Sequence, residues 1–162
     1  MDASIRWPLA SNVIRHNVVS NTFGMVRRYA DGRSKPHQGW DFYAATGTPC
    51  FAIAAGRVAF VSSIGDYGKT VVHSFQLNGR TLYAAYSHMS SIAVAEGDAV
   101  AKGQQIGRTG TSGNAMGMTG RDQHLHFEIR EVPCTGRGLA GRISPLEVFR
   151  ACPLDVPALA EP

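Results

Sequence analysis

The sequence predicts a mainly β protein built on antiparallel strands, with one short helix near its C-terminus. Eighteen glycines in 162 residues call for many tight turns. Between those turns, apolar and β-branched residues recur in runs of strand length. No helical stripe is sustained before residue 144. A hydrophobic content of 44% against 17% charged residues fits a folded chain rather than a disordered one. At this length one domain, expected over residues 1–152, can bury a core without covalent staples.

The elements follow in order. Residues 1–36 are mixed and turn-rich, and residues 31–36 read as a loop leading into His37. Trp40 to Tyr43 is a short strand, and the turn at residues 46–49 leads to strands at 50–54 and 57–61, split by Ala55 and Gly56. After the Gly65-Asp-Tyr-Gly68 turn, strands at 70–75 and 81–86 flank a hairpin signal at Asn78-Gly79. A short strand at 99–101 lies between turns. Another begins at Gln105, and a Gly/Ser/Thr/Met loop spans 109–122. Residues 124–130 form a clear strand, and 144–150 a helix with Ser144 as its cap and Pro145 in its first turn. Residues 153–162 read as a loose proline-rich tail.

Chemistry concentrates in two places. Lys35-Pro-His-Gln-Gly-Trp-Asp41 carries His37 and Asp41, and Gln123-His-Leu-His-Phe-Glu128 carries His124 and His126. His37, Asp41 and one of the paired histidines would give a zinc ion three protein ligands, leaving the fourth position for water or substrate. The other would be free for proton transfer. On a strand, His124, His126 and Glu128 share one face while Leu125, Phe127 and Ile129 share the other. Gly39 would let the backbone turn so that His37 and Asp41 reach one ion. Glu128 reads either as support for a ligand histidine or as an exposed strand acid. His16 and His73 have no partner in sequence and read as surface or packing residues.

Other classes are disfavoured. The net charge of +4 is spread along the chain without a basic cluster, which argues against nucleic acid as a partner. The most apolar run, residues 50–61, is interrupted by Gly56 and Arg57 and is too short to span a bilayer. Residues 1–6 carry an acid where an export signal needs basic residues. Cys50, Cys134 and Cys152 form no metal-binding pair. Cys50 reads as a core residue, and Cys134 with Cys152 would pair only in an oxidising compartment.

The chain resembles the lysostaphin-type zinc endopeptidases, which cut peptide bonds in bacterial peptidoglycan. The resemblance runs from about Thr22 to Phe149 through Phe23-Gly-Met-Val-Arg27, His37-Gln-Gly-Trp-Asp41, Gly47-Thr-Pro49 and Ala54-Ala-Gly-Arg-Val58. It continues through Tyr86-Ser-His-Met89, Gly97-Asp-Ala-Val-Ala-Lys-Gly-Gln-Gln-Ile-Gly107, Gly110-Thr-Ser-Gly113, His124-Leu-His-Phe-Glu128 and Ser144-Pro-Leu-Glu147. It implies the antiparallel sheet core of that family. It also implies His37, Asp41 and His126 as zinc ligands, with His88 and His124 as catalytic histidines. Two departures bear on substrate preference: an enlarged loop at residues 114–123, and Trp40 where an aliphatic residue is usual. The 97–107 stretch also resembles a half-motif of lipoyl and biotinyl carrier domains, but no lysine stands at a hairpin apex flanked as a carrier requires. A non-catalytic wall-binding or activator module is the other alternative, and such modules lose ligands that this chain keeps. The expected partners are a peptidoglycan peptide and a cognate inhibitor protein, with the chain a monomer. With no export signal read in residues 1–6, the expectation is an antibacterial effector or phage-type lysin. It would act in the periplasm or wall of a target bacterium.

Overall fold

The structure, a computed structural model, describes residues 1–160. Its strands are β1 (Ser11–Asn12), β2 (Gly24–Arg28), β3 (Ser34–His37), β4 (Trp40–Tyr43), β5 (Pro49–Phe51), β6 (Gly56–Ser62) and β7 (Lys69–Leu77). They continue as β8 (Arg80–Ile92), β9 (Ala99–Val100), β10 (Gln105–Thr109), β11 (His124–Arg130), β12 (Arg142–Ile143) and β13 (Ala158–Leu159). Among the described residues the single α-helix, α1, is one turn at Leu146–Phe149. Among the described residues nine strands join one sheet along the path β12-β11-β8-β7-β6-β9; β4 pairs with β11, and β10 pairs with both β5 and β8. Every pairing is antiparallel, as the sequence predicts.

Strand β11 lies between β8 and β4, and all seven of its residues are buried. Its Leu125, Phe127 and Ile129 face the core, where Phe127 packs on Tyr86, Phe42 and Phe149. Trp7 stacks on Phe149 at 4.2 Å, and Trp40 stacks on the same ring at 6.1 Å. Trp40 is therefore a core residue on the face of β4 opposite Asp41, so its packing sets the sheet rather than a substrate preference. The aromatic payload explains how so short a chain assembles one continuous core.

Several elements depart from expectation. Ser34–His37 is strand rather than loop, hairpinned with β2. The expected loose tail is pinned through residue 160. Strand β13 pairs with β1, Ala160 N donates to Ala10 O at 3.0 Å, and Leu154, Ala158 and Ala160 pack against the core. Residues 161–162 of that tail lie outside the described residues. All three cysteines are free thiols, so Cys134 and Cys152 do not pair. Ser144 caps only weakly: its Oγ accepts from Leu146 N at 3.2 Å ahead of the single turn. Among the described residues no helix is long and apolar enough to cross a membrane.

Candidate metal centre and active site

Two strands bring the first motif to the second. Asp41 on β4 stands directly opposite His126 on β11, and Tyr43 opposite His124. Gly39 makes the approach possible: a Cβ there would sit 2.1 Å from the Phe127 carbonyl oxygen. The glycine is required for contact between backbones, and its φ is not in the left-handed region, so the turn expected of it is not its role. His88 arrives differently. It lies where the β7–β8 register slips between Lys69↔Met89 and Val71↔Tyr86, and its φ is 60°. A bulge re-aims a side chain, and a non-glycine residue held in this region marks a geometry the surroundings impose. Its amide donates to Tyr67 O at 2.8 Å, which secures it there.

His37, Asp41 and His126 are buried, and one candidate ligand atom from each lies within 4.8 Å of the others. The outward hydrogen bonds decide which atoms face in. His37 Nδ1 donates to Thr22 O at 2.7 Å, because a carbonyl only accepts, leaving Nε2 as a lone pair 3.2 Å from Asp41 Oδ1. His126 Nε2 donates to Glu128 Oε1 at 2.9 Å, and its Nδ1 lies 2.8 Å from the same Asp41 oxygen. With His126 singly protonated on Nε2, three acceptor atoms converge. A cation satisfies that arrangement, and two imidazoles with one carboxylate suit zinc with a position left open.

Behind these atoms stands a charged shell. Asp41 Oδ2 accepts from Arg27 at 2.8 Å and from Arg15 at 3.3 Å, so Oδ1 alone is turned inward. Glu128 is fully buried, not an exposed strand acid. Its Oε2 accepts from Arg130 at 2.6 Å and Arg142 at 2.8 Å, and its Oε1 also accepts from the Tyr67 hydroxyl at 2.6 Å. The Tyr67 hydroxyl touches Gln38 as well, and its ring stacks on His126 at 5.2 Å. Burial alone would raise both carboxyls. Without metal, a proton on His126 Nδ1 bonding Asp41, with the His37 ring beside it, outweighs burial there, and the His126 hydrogen bond with the arginine charges outweighs it at Glu128, so both stay ionised well below the usual range. Without metal, the same carboxylates raise His126 to about 9 against the opposing effect of burial.

The other two histidines are held by neutral groups. His88 Nδ1 donates to Ser112 O at 2.8 Å, and His124 Nδ1 donates to Asp122 O at 2.9 Å. Each therefore presents Nε2 as a lone pair. Their rings meet edge to face at 5.1 Å, and His88 lies 6.0 Å from the His126 ring. Burial first, then the charges of His126 and His124, pushes His88 down to about 4. Burial also lowers His124. At neutral pH both are uncharged rings able to accept a proton.

All five residues singled out in the sequence thus gather in one groove of about 930 Å³, lined also by Arg15, Arg27, Lys35, Tyr67 and Arg137. His16 and His73 stay outside it: His16 pairs with Asp122 on the surface, and His73 is buried against Tyr86. The sequence did not single out Tyr67, Arg15, Arg27, Arg130 or Arg142. Arg27 lay inside a quoted motif and was the one with a signal that could have found it.

The family model described as Peptidase family M23 matches residues 35–139. An uncharacterised metalloprotease of Haemophilus influenzae is 36% identical over 126 residues, 76% of this chain and 24% of that protein. The peptidoglycan DD-endopeptidase ShyA of Vibrio cholerae is 35% identical over 97 residues, 60% of this chain and 21% of its own length. This chain thus spans about a quarter or less of these relatives. Among solved structures, a zinc-containing peptidase from Vibrio cholerae superposes with a TM-score of 0.61 at 28% identity, covering 83% of this chain and 41% of that one. The lysostaphin catalytic domain of Staphylococcus simulans gives 0.62 at 24% identity over 80% of this chain and 90% of that one, a likeness of fold. A model matched over more than half of the sequence, on a fold shared with these peptidases, places this chain in peptidase family M23.

Proposed function

We propose that this protein is a zinc-dependent endopeptidase that hydrolyses peptide cross-links of bacterial peptidoglycan. The observation that carries the reading is the division of the four site histidines. His37 Nε2 and His126 Nδ1 converge with Asp41 Oδ1, while His88 and His124 keep a free Nε2 beside them. The names of relatives such as ShyA support the substrate class. Zinc, when bound by His37, Asp41 and His126, supplies Lewis acidity toward water or a carbonyl oxygen. The protein does the rest. Water adds to the scissile carbonyl carbon, the C–N bond breaks, and a water proton ends on the leaving amine. His88 and His124 are the groups able to carry that proton through Nε2, and whichever ring is protonated can also donate to the developing oxyanion. Their anchored Nδ1 atoms fix both rings against rotation, so the lone pairs stay aimed into the groove.

The test is digestion of purified peptidoglycan with identification of the released peptides by mass, alongside metal analysis. New amine and carboxyl termini at cross-link bonds, with about one zinc per chain, fit the reading. Intact sacculi from a zinc-loaded protein, or cuts in the glycan strand, contradict it. We place its action where peptidoglycan lies, in the periplasm or wall, and retain delivery as an effector or lysin with a cognate inhibitor. Lysis of a Gram-negative host on export to the periplasm but not on cytoplasmic expression, abolished by Asp41→Ala, fits that delivery. Equal toxicity from the cytoplasm contradicts it.

A further inference from the structure

The groove carries a charge imbalance that the chemistry of bond cleavage does not use. Four cations line it, Arg15, Arg27, Lys35 and Arg137, against the carboxylates of Asp41 and Asp66. Three of the four are occupied. Arg15 and Arg27 hold Asp41 Oδ2, and Arg27 also donates to Ser20 O at 2.7 Å and to Asn21 Oδ1 at 3.0 Å. Arg137 pairs with Asp66 at 3.3 Å. Lys35 is exposed, and among the described residues it has no carboxylate within ion-pair distance; its ammonium instead lies over the Tyr29 ring, 5.4 Å from the centroid.

The strand partner of Lys35 is also a cation. Lys35 stands directly opposite Arg27 in the β2–β3 pair. Like charges directly opposite one another destabilise a strand pair. Asp41 answers only the arginine. Lys35 also shares a face of β3 with the ligand-set residue His37, two residues on, which places it about 7 Å along the strand from that histidine. Lys35 lines the same groove as the five site residues, so a substrate lying along that groove passes this side chain. An anion there would meet a cation that no carboxylate of the described residues holds.

We propose that the groove selects anionic cross-link peptides, with Lys35 taking a free carboxylate on the residue flanking the scissile bond. The proposal rests on the peptidase reading and names the charge of its substrate. Neutral bridges, such as those made only of glycine, lack the group that Lys35 receives. The contact is a solvent-facing ion pair in a groove of excess positive charge, so it acts on capture of the substrate and weakens with salt.

The experiment uses zinc-loaded protein and two cross-linked peptides that differ only in one group, a free carboxylate or its primary amide on the flanking residue. The ratio of kcat/KM, acid over amide, is expected to be about tenfold at low salt, carried mainly by KM. Lys35→Met should bring that ratio down to about twofold or less, and Lys35→Arg should preserve most of it. Added salt should shrink the wild-type ratio. Equal kcat/KM for acid and amide would overturn the proposal and leave the peptidase reading standing. A large ratio that survives Lys35→Met would overturn the assignment to Lys35. Cleavage of neither peptide, by protein that holds its zinc, would remove the peptidase reading and this proposal together.

Discussion

His124 and His126 sit two residues apart on the same face of β11, yet their surroundings are opposite in kind. His126 belongs to a half of the site built from charges: Asp41 with Arg15 and Arg27 on one side, Glu128 with Arg130 and Arg142 on the other. His124 and His88 belong to a half built from backbone carbonyls, those of Asp122 and Ser112. In the first half, fixed charges hold carboxylates ionised and orient an imidazole lone pair inward. In the second, burial outweighs the backbone acceptors and the Asp41 carboxylate, whose Oδ1 lies 3.8 Å from His124 Nε2, so the rings stay uncharged. A ligand needs its electrons placed and its charge kept, whereas a proton carrier needs to be empty at working pH.

The largest effects should come from removing inward atoms of the charged half. Asp41→Ala and His37→Ala should each lose stoichiometric zinc and all measurable hydrolysis, as read by metal analysis and a dye-release assay. Full zinc content in either variant would break the division. Next come the neutral groups: His88→Ala should keep zinc and lose about 10²- to 10⁴-fold in kcat, the scale of general acid–base help. Turnover near wild type would remove His88 from proton transfer.

A smaller effect sharpens the same comparison. Glu128→Gln keeps an acceptor for His126 Nε2 but loses the charge, and should weaken zinc about 10- to 100-fold by competition with a chelator. The corresponding change on the neutral side, Ser112→Ala, leaves the carbonyl that holds His88 in place and should not move zinc affinity. Equal zinc affinity in Glu128→Gln and wild type would show that the charge behind His126 is only structural.

The smallest effect is in pH. In the metal-free protein His126 is raised to about 9. A raised basic group stabilises the fold fully below its unfolded value of about 6.5, and that contribution is lost as pH climbs through the folded one. Thermal melts of chelated protein should therefore drop between about pH 6.5 and about pH 9. Zinc affinity should rise over the same window, since binding displaces the proton. A His126→Gln control should flatten the melting trend; an unchanged trend in that variant would assign it to other groups.

Much of this was legible in the chain. The alternation of residues 124–130 already put both histidines and Glu128 on one face, and the strand read at Trp40 to Tyr43 is β4. The antiparallel class followed from turns and apolar runs that need only local sequence. The β2–β3 hairpin was not legible, because its strands are polar, one contains Pro36, and what ties it to the site is the ion pair from Arg27 to Asp41. Arg15, Tyr67 and Arg142 act on residues 26, 61 and 14 positions away, a distance at which sequence carries no periodic signal. The tail was misread for a related reason: Ala158 and Leu159 are ordered by pairing with Asn12 and Ser11 across nearly the whole chain.

The most direct test is zinc content measured side by side in His124→Ala and His126→Ala, two variants of the same strand face. The account predicts about one zinc per chain in the first, with hydrolysis lost, and none in the second. Zinc retained by His126→Ala and lost from His124→Ala would contradict it.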